Sequence, residues 1–170
     1  GNDIEDWLVG EIEGIISMQE VVEYKGCIGY LDAMVDTEKW DFPKGIIPLE
    51  VKSVSNAKFR RIVQESNPQM GHILQACYYA MGKEKEWFAV AYCAADDLRV
   101  QTYVLEVKDF KAEVDTAIDL FNEAVKKKVI PVFLGKEVWQ ENKKYNRYPE
   151  WLELGEKELE VKAKELYGNL

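Results

Sequence analysis

The chain has 170 residues, 47% of them hydrophobic and 31% charged, and carries a formal net charge of −9. That length and apolar share suffice for one globular domain with a sizeable core. No stretch reaches the ~18 apolar residues of a membrane helix and no signal-peptide pattern opens the chain, so a cytoplasmic protein without a membrane partner is expected.

Residues 3–14 read as a helix, with Ile4, Trp7, Leu8, Glu11 and Ile12 forming a mixed stripe at helical spacing. Residues 18–24 and 26–36 read as two strands joined at Lys25-Gly26, a tight-turn signal. A loop over 37–45, with Trp40, Pro43 and Gly45, leads into a strand over 46–54. Residues 55–68 are polar and rich in breakers, which predicts a mobile segment. A helix over 71–81 follows, with Gly82 in the usual glycine position past a helix end.

Period two then returns. Residues 87–94 and 98–107 read as strands joined at Ala95-Asp96-Asp97. Residues 108–128 read as an amphipathic helix with Phe110, Val114, Ala117, Ile118, Phe121 and Val125 on one face. Its last turn, Lys126-Lys127-Lys128, suits the negative end of the helix dipole. From Trp139 the chain is aromatic, then charged and helical over 150–166, able to cover the core or to meet a partner. The order αβββαββα makes this an α/β chain without repeats.

The chemistry concentrates in three short segments: Gly29-Tyr30-Leu31-Asp32, Glu50-Val51-Lys52, and His72 with Gln75 and Tyr79. Glu50 and Lys52 are spaced i, i+2, so they share one face of a strand. A second carboxylate, Asp32, closes the preceding apolar strand. Two carboxylates at one sheet edge suit a hard cation, and an adjacent ammonium can orient a water or stabilise a developing anion. A Glu-x-Lys on a strand is also a common solvated charge pair. Here Ile46, Ile47, Leu49 and Val51 make the strand read as buried, where charges are costly unless paired or metal-bound. Gln75 and Tyr79 are i, i+4 and share a helix face, with His72 three residues before Gln75. Each has an ordinary alternative: Tyr79 as core, Gln75 as exposed surface, His72 as a helix-start residue.

These segments resemble the PD-(D/E)xK nuclease superfamily in its RecB-like and Cas4-like exonuclease branch. Gly29-Tyr30-Leu31-Asp32 matches the Gly-x-x-Asp strand, Glu50-Val51-Lys52 the (D/E)-x-K strand, and Gln75-Ala76-Cys77-Tyr78-Tyr79 the Gln-x-x-x-Tyr helix. The motifs span residues 29–79, and the element order extends the match to about residue 128. The resemblance implies a restriction-endonuclease-like αβββαβ core over 1–135, a central mixed sheet flanked by helices, with a helical C-terminal extension over 136–170. It implies a DNA nuclease dependent on Mg²⁺ or Mn²⁺, an exonuclease of the recombination, repair or phage type, with a recombination or helicase protein as a possible partner.

The same resemblance assigns roles. Asp32, Glu50 and the backbone carbonyl of Val51 would hold the metal, and Lys52 would orient the attacking water or shield phosphorane charge. Gln75 and Tyr79 would steady the catalytic groups or the DNA backbone. Relatives often complete the metal site from the first helix. No histidine precedes His72, so only Glu5, Glu11 or Glu13 could serve. Cas4-like relatives carry four iron–sulfur cysteines, whereas Cys27, Cys77 and Cys93 are three, scattered and set in apolar segments. Buried thiols of a reducing compartment are expected instead.

The acidic balance argues against a nucleic-acid partner, because phosphate contacts favour a basic footprint. The acids, however, gather at the two ends, while Lys58, Arg60 and Arg61 follow the Glu-x-Lys strand. Those three are either DNA contacts or a solvated loop, and His72 either a phosphate contact or structural. Two rivals stand beside the nuclease: a catalytically silent DNA-binding or assembly module of the same fold, and an acidic interaction domain with an incidental Glu-x-Lys. Retention of Asp32, Glu50 and Lys52 together speaks against the first. The second predicts no dependence on divalent cations.

Overall fold

The computed structural model describes residues 2–41, 44–127 and 161. The element order is α1 (Asn2–Glu11), β1 (Ile15–Tyr24), β2 (Cys27–Asp36), β3 (Ile46–Val54), α2 (Asn56–Glu65), α3 (Met70–Gly82), β4 (Trp87–Ala94), β5 (Val100–Glu106), a single 3-10 turn (Val107–Asp109) and α4 (Lys111–Lys127). The expected boundary at residue 135 and the extension over 136–170 lie outside the described residues, Val161 apart. Gly1–Asp115 forms one of two units of the chain and holds all five described strands and the candidate site. Of the second unit, the later part of α4 and Val161 are described.

The sheet runs β1-β2-β3-β4-β5. All neighbours are antiparallel except β3 and β4, which are parallel. A parallel pair needs a crossover of a dozen or more residues, and α2 with α3 supplies it. The result is the expected αβββαβ order with one additional helix in the crossover. The β1–β2 hairpin closes on Lys25 and Gly26, both at positive φ (48° and 77°), between the paired Tyr24 and Cys27. A two-residue turn with φ positive at both positions matches the strand twist.

The sheet separates two layers. On one face, Leu8 and Val9 of α1 pack with Ala33, Val35, Ile47, Leu49, Val51, Ala89, Ala91 and Cys93. On the other, Tyr79 of α3 packs with Val22, Leu31 and Met34. β4 is buried from Phe88 to Ala94, as befits a strand covered on both faces. Gly82 ends α3 against β1: a Cβ there would meet Val22 Cγ1 at 2.3 Å, so close approach to the strand requires the glycine.

Residues 56–65 correct the expectation of a mobile segment. They form α2, capped by the Ser55 side chain, which accepts from the Lys58 N–H, and closed by Ser66 in the left-handed region at φ 45°. Phe59 and Ile62, one turn apart, are buried. The helix escapes a periodicity reading because only those two of its ten residues reach the core, and tertiary burial rather than propensity decides it. The buried residues of α4 also differ from the expected stripe, since Ala124 is buried while Ala117 is exposed. Val114 and Ile118 are buried, but Phe121 and Val125 are exposed; periodicity names a stripe without saying which of its residues meet a neighbour. Cys77 and Cys93 are buried as expected, while Cys27 is only half-buried. Burial pushes the Cys77 thiol up to about 11.

Candidate active site

Strand β3 divides its residues between the two layers. Leu49 and Val51 enter the α1-side core, so Glu50 and Lys52 face the α3 side by alternation. The pairing of β2 with β3 runs from Asp36↔Ile46 to Ala33↔Leu49 and stops there, although both strands continue. Asp32 and Glu50 are the first residues past that fork. Asp32 Oδ2 accepts the Val51 N–H at 2.8 Å, a donor that continued pairing would have given to the β2 backbone. On the other side of β2, Gln19 of β1 lies at φ 51°, between the pairs Met18↔Ala33 and Glu20↔Leu31. A non-glycine residue in the left-handed region stores backbone strain, here directly beside Asp32.

Glu50 is 0% exposed, and the Lys52 ammonium pairs with its carboxylate. Burying a carboxylate is costly, and such a pair offsets part of that cost. From α3, Gln75 Nε2 donates to the Tyr79 hydroxyl at 3.1 Å, as the i, i+4 spacing requires. Burial, the largest cause, pushes the Tyr79 phenol above its ordinary range. The Gln75 hydrogen bond opposes that shift, the Glu50 and Asp32 carboxylates add to it, and Lys52 opposes it. The phenol thus senses all four other motif side chains.

Gly29 explains the first position of the Gly-x-x-Asp segment. A Cβ there would stand 2.8 Å from a Tyr79 ring carbon and 3.2 Å from one of Tyr78. The glycine leaves room for Tyr79 to lie against β2, which ties the strand motif to the helix motif.

Tyr92 is a site residue that sequence reasoning missed. It lies on β4 as the register partner of Lys52 and is fully buried. Its hydroxyl accepts the Gln69 N–H at 2.9 Å and stands 3.0 Å from His72 Nδ1. Its ring meets Tyr103 edge-on at 6.2 Å, and Tyr103 donates to the Ile62 carbonyl of α2 at 3.1 Å. Nothing local singles it out, because a tyrosine within Phe-Ala-Val-Ala-Tyr-Cys-Ala reads as core.

His72 is half-buried on the first turn of α3. Lys58, Arg60 and Arg61 lie on helix α2 and not on a loop; Arg60 and Arg61 are exposed and Lys58 half-buried. The Arg60 charge reaches Asp97, which pairs with Arg99 at 2.9 Å, and Arg99 stacks over Phe59 at 5.1 Å. Glu13 pairs with Lys39, Glu11 is exposed, and the Glu5 side chain lies outside the described residues. Among the described residues no three His, Cys, Asp or Glu side chains converge as a metal-binding group. The donors that the sequence reading names, the Asp32 and Glu50 carboxylates and the Val51 backbone carbonyl, are all oxygen. Such a set fits Mg²⁺ or Mn²⁺, which take oxygen ligands, and Mg²⁺ is commonly held by one or two carboxylates with waters. It does not fit a closed zinc site, which needs four nitrogen or sulfur ligands.

Among the described residues no helix is long and apolar enough to cross a membrane. No family model matches the chain, and no curated protein matches it. Among solved structures, the alkaline exonuclease of Laribacter hongkongensis matches at 13% identity and TM-score 0.45, over 74% of this chain and 70% of that one. The same exonuclease in complex with dAMP matches at 15% and 0.46, over the same shares. A structure named SSO0001 matches at 16% and 0.44, over 84% of this chain and 67% of that one. Likeness at this level does not speak to chemistry, which rests on the residues of this chain.

Proposed function

We propose that the chain is a metal-dependent DNA nuclease, an exonuclease of the recombination, repair or phage type, acting at the fork between β2 and β3. One observation carries the reading. The Asp32 carboxylate is fixed by the Val51 N–H at the point where buried Glu50 pairs with Lys52, so two carboxylates and an ammonium meet at one sheet fork. The resemblance of these segments to the RecB-like branch of the PD-(D/E)xK superfamily points the same way.

Asp32 and Glu50, with the Val51 carbonyl, would hold Mg²⁺ or Mn²⁺. Bound there, the cation would polarise the scissile phosphate and acidify a water. Lys52 orients the attacking water or neutralises charge developing on phosphate oxygen, a task for a compact ammonium rather than a guanidinium. The Gln75 amide holds the Tyr79 hydroxyl, and the two steady the strand or the catalytic groups. A recombination or helicase protein as partner belongs to the same proposal.

The test is incubation of a linear duplex and of a single strand with Mg²⁺ or Mn²⁺, against an EDTA control. Cleavage that needs the cation and disappears in Asp32→Asn and Glu50→Gln is expected. Cation-dependent cleavage by the double variant would overturn the assignment. Binding of DNA without cleavage by the unaltered chain would favour the silent module.

A further inference from the structure

The Asp32 carboxylate takes an uncommon direction for a strand residue. It accepts the Val51 N–H at 2.8 Å and so reaches along the sheet towards β3, whereas side chains of a regular strand stand on one face or the other. β2 changes face at this residue. Leu31 packs on the α3 side with Val22 and Tyr79, and Ala33, two residues on, packs on the α1 side with Leu8 and Val9. A regular strand would put both on one face.

β1 changes face at the same level. The ladder passes from Met18↔Ala33 to Glu20↔Leu31, which sets Gln19 opposite Asp32. The Ser17 hydroxyl donates to the carboxylate of Glu20, three residues on, and that carboxylate also pairs with the Lys83 ammonium at the end of α3. Strand residues three apart share a face only where the alternation is reset. Gln19 lies between them at φ 51°, the one described residue of positive φ inside a strand; the others sit in turns, loops and a helix end. Its side chain is exposed.

We propose that Gln19 is a positioning residue for Asp32: its left-handed backbone turns β1 and β2 over together and so delivers the Asp32 carboxylate into the β2–β3 fork. With residue 19 extended, alternation from Leu31 would turn Asp32 to the α1 side, away from Glu50 and Lys52. Ala33 and Val35 would leave the α1 layer with it, since a slip of one residue flips every side chain that follows. The core therefore needs the reset, and the site inherits it. Because the Gln19 side chain is exposed, residue 19 acts through its backbone. That this placement serves cleavage rests on the nuclease reading. The hold on Asp32 does not.

The test reads the Val51 N–H directly, by amide exchange of the whole chain, with the β4 amides as the measure of global opening. Asp32→Ala, which removes the acceptor, sets the unprotected reference. Gln19→Val, whose branched side chain is least tolerated at positive φ, should lower Val51 protection relative to β4 by roughly ten- to a hundredfold, the range for a hydrogen bond to a charged group. Gln19→Gly, which enters the left-handed region freely, should keep that protection and melt above the unaltered chain. In cleavage assays Gln19→Val should be slower by about tenfold, the scale of a misplaced catalytic group, and Gln19→Gly should not share the loss. Unchanged Val51 protection in Gln19→Val, or its loss in Gln19→Gly, would overturn the proposal. Should Gln19→Val not fold, melting temperatures decide: Gly above Asn above Gln at residue 19 is expected, in the order of their tolerance of positive φ, and Gln19→Gly melting below the unaltered chain would overturn it. A chain that cleaves no DNA, yet whose Val51 protection follows residue 19, would sink the nuclease reading and leave the hold on Asp32 standing.

Discussion

The sheet offers α1 an apolar surface and α3 a mixed one, where polar groups stand beside the Val22, Leu31 and Met34 cluster, and β3 supplies residues to both from alternate positions. Towards α1 it sends Ile47, Leu49 and Val51, all within 1% of full burial. Towards α3 it sends Glu50 and Lys52, whose charges act on the Tyr79 and Tyr92 phenols. The first surface is held by dispersion and the hydrophobic effect, which tolerate substitution in proportion to volume. The second is held by one buried ion pair and a few hydrogen bonds, where removing a single partner leaves a buried polar group unsatisfied. A strand can therefore anchor a site rigidly by committing every second residue to packing.

The sharpest way to break the comparison is to neutralise a carboxylate on the polar face. Glu50→Gln or Asp32→Asn should lower cleavage by about a thousandfold or more, since metal coordination is asked to supply several kcal/mol at about 1.4 kcal/mol per factor of ten. The fold should remain, as read by circular dichroism. Cleavage within tenfold of the unaltered rate would place the chemistry elsewhere.

The apolar face should respond in the opposite currency. Leu49→Ala, one residue from Glu50 but on the other layer, should cost about 2–5 kcal/mol of stability. Below its lowered melting temperature its cleavage rate should stay near that of the unaltered chain. A large rate loss in fully folded Leu49→Ala would mean that the two faces are not separable.

Smaller effects are expected from the helix over the site. Gln75→Ala and Tyr79→Phe should each slow turnover by about ten- to a thousandfold, the range for single positioning contacts, at nearly constant melting temperature. Gly29→Ala should act through the same ring, because its Cβ would press on Tyr79. If Tyr79→Phe and Gly29→Ala both cleave at the unaltered rate, Tyr79 is packing and the α3 face is scaffold.

The smallest effect belongs to the basic face of α2. Neutralising Lys58, Arg60 and Arg61 together should flatten the salt dependence of DNA binding by about one unit of slope per lost phosphate contact. An unchanged slope in a fluorescence titration would return all three to solvated surface.

Much of this arrangement was legible in the chain because it depends on short spacings. The Lys25-Gly26 hairpin, the shared face of Glu50 and Lys52, and the Gln75–Tyr79 hydrogen bond each follow from period two, period 3.6 or turn chemistry within a few residues. Helix α2 was not legible. Its identity depends on Phe59 and Ile62 finding a core, and the polar residues around them read equally well as loop. Tyr92 was not legible either, since its hydroxyl matters only once β4 lies parallel to β3 with Tyr92 beside Lys52.

What the residues determine by themselves is which side chains carry charge and which face of its own element each occupies, since those depend on local backbone geometry. Only the tertiary structure decided that β2 and β3 part after Ala33 and Leu49, that Asp32 takes the Val51 N–H at the fork, and that Gly29 makes room for Tyr79. Each of these is a contact between segments 16 to 50 residues apart. Such contacts arise when strands pair and a helix docks, and no local pattern encodes where that pairing stops.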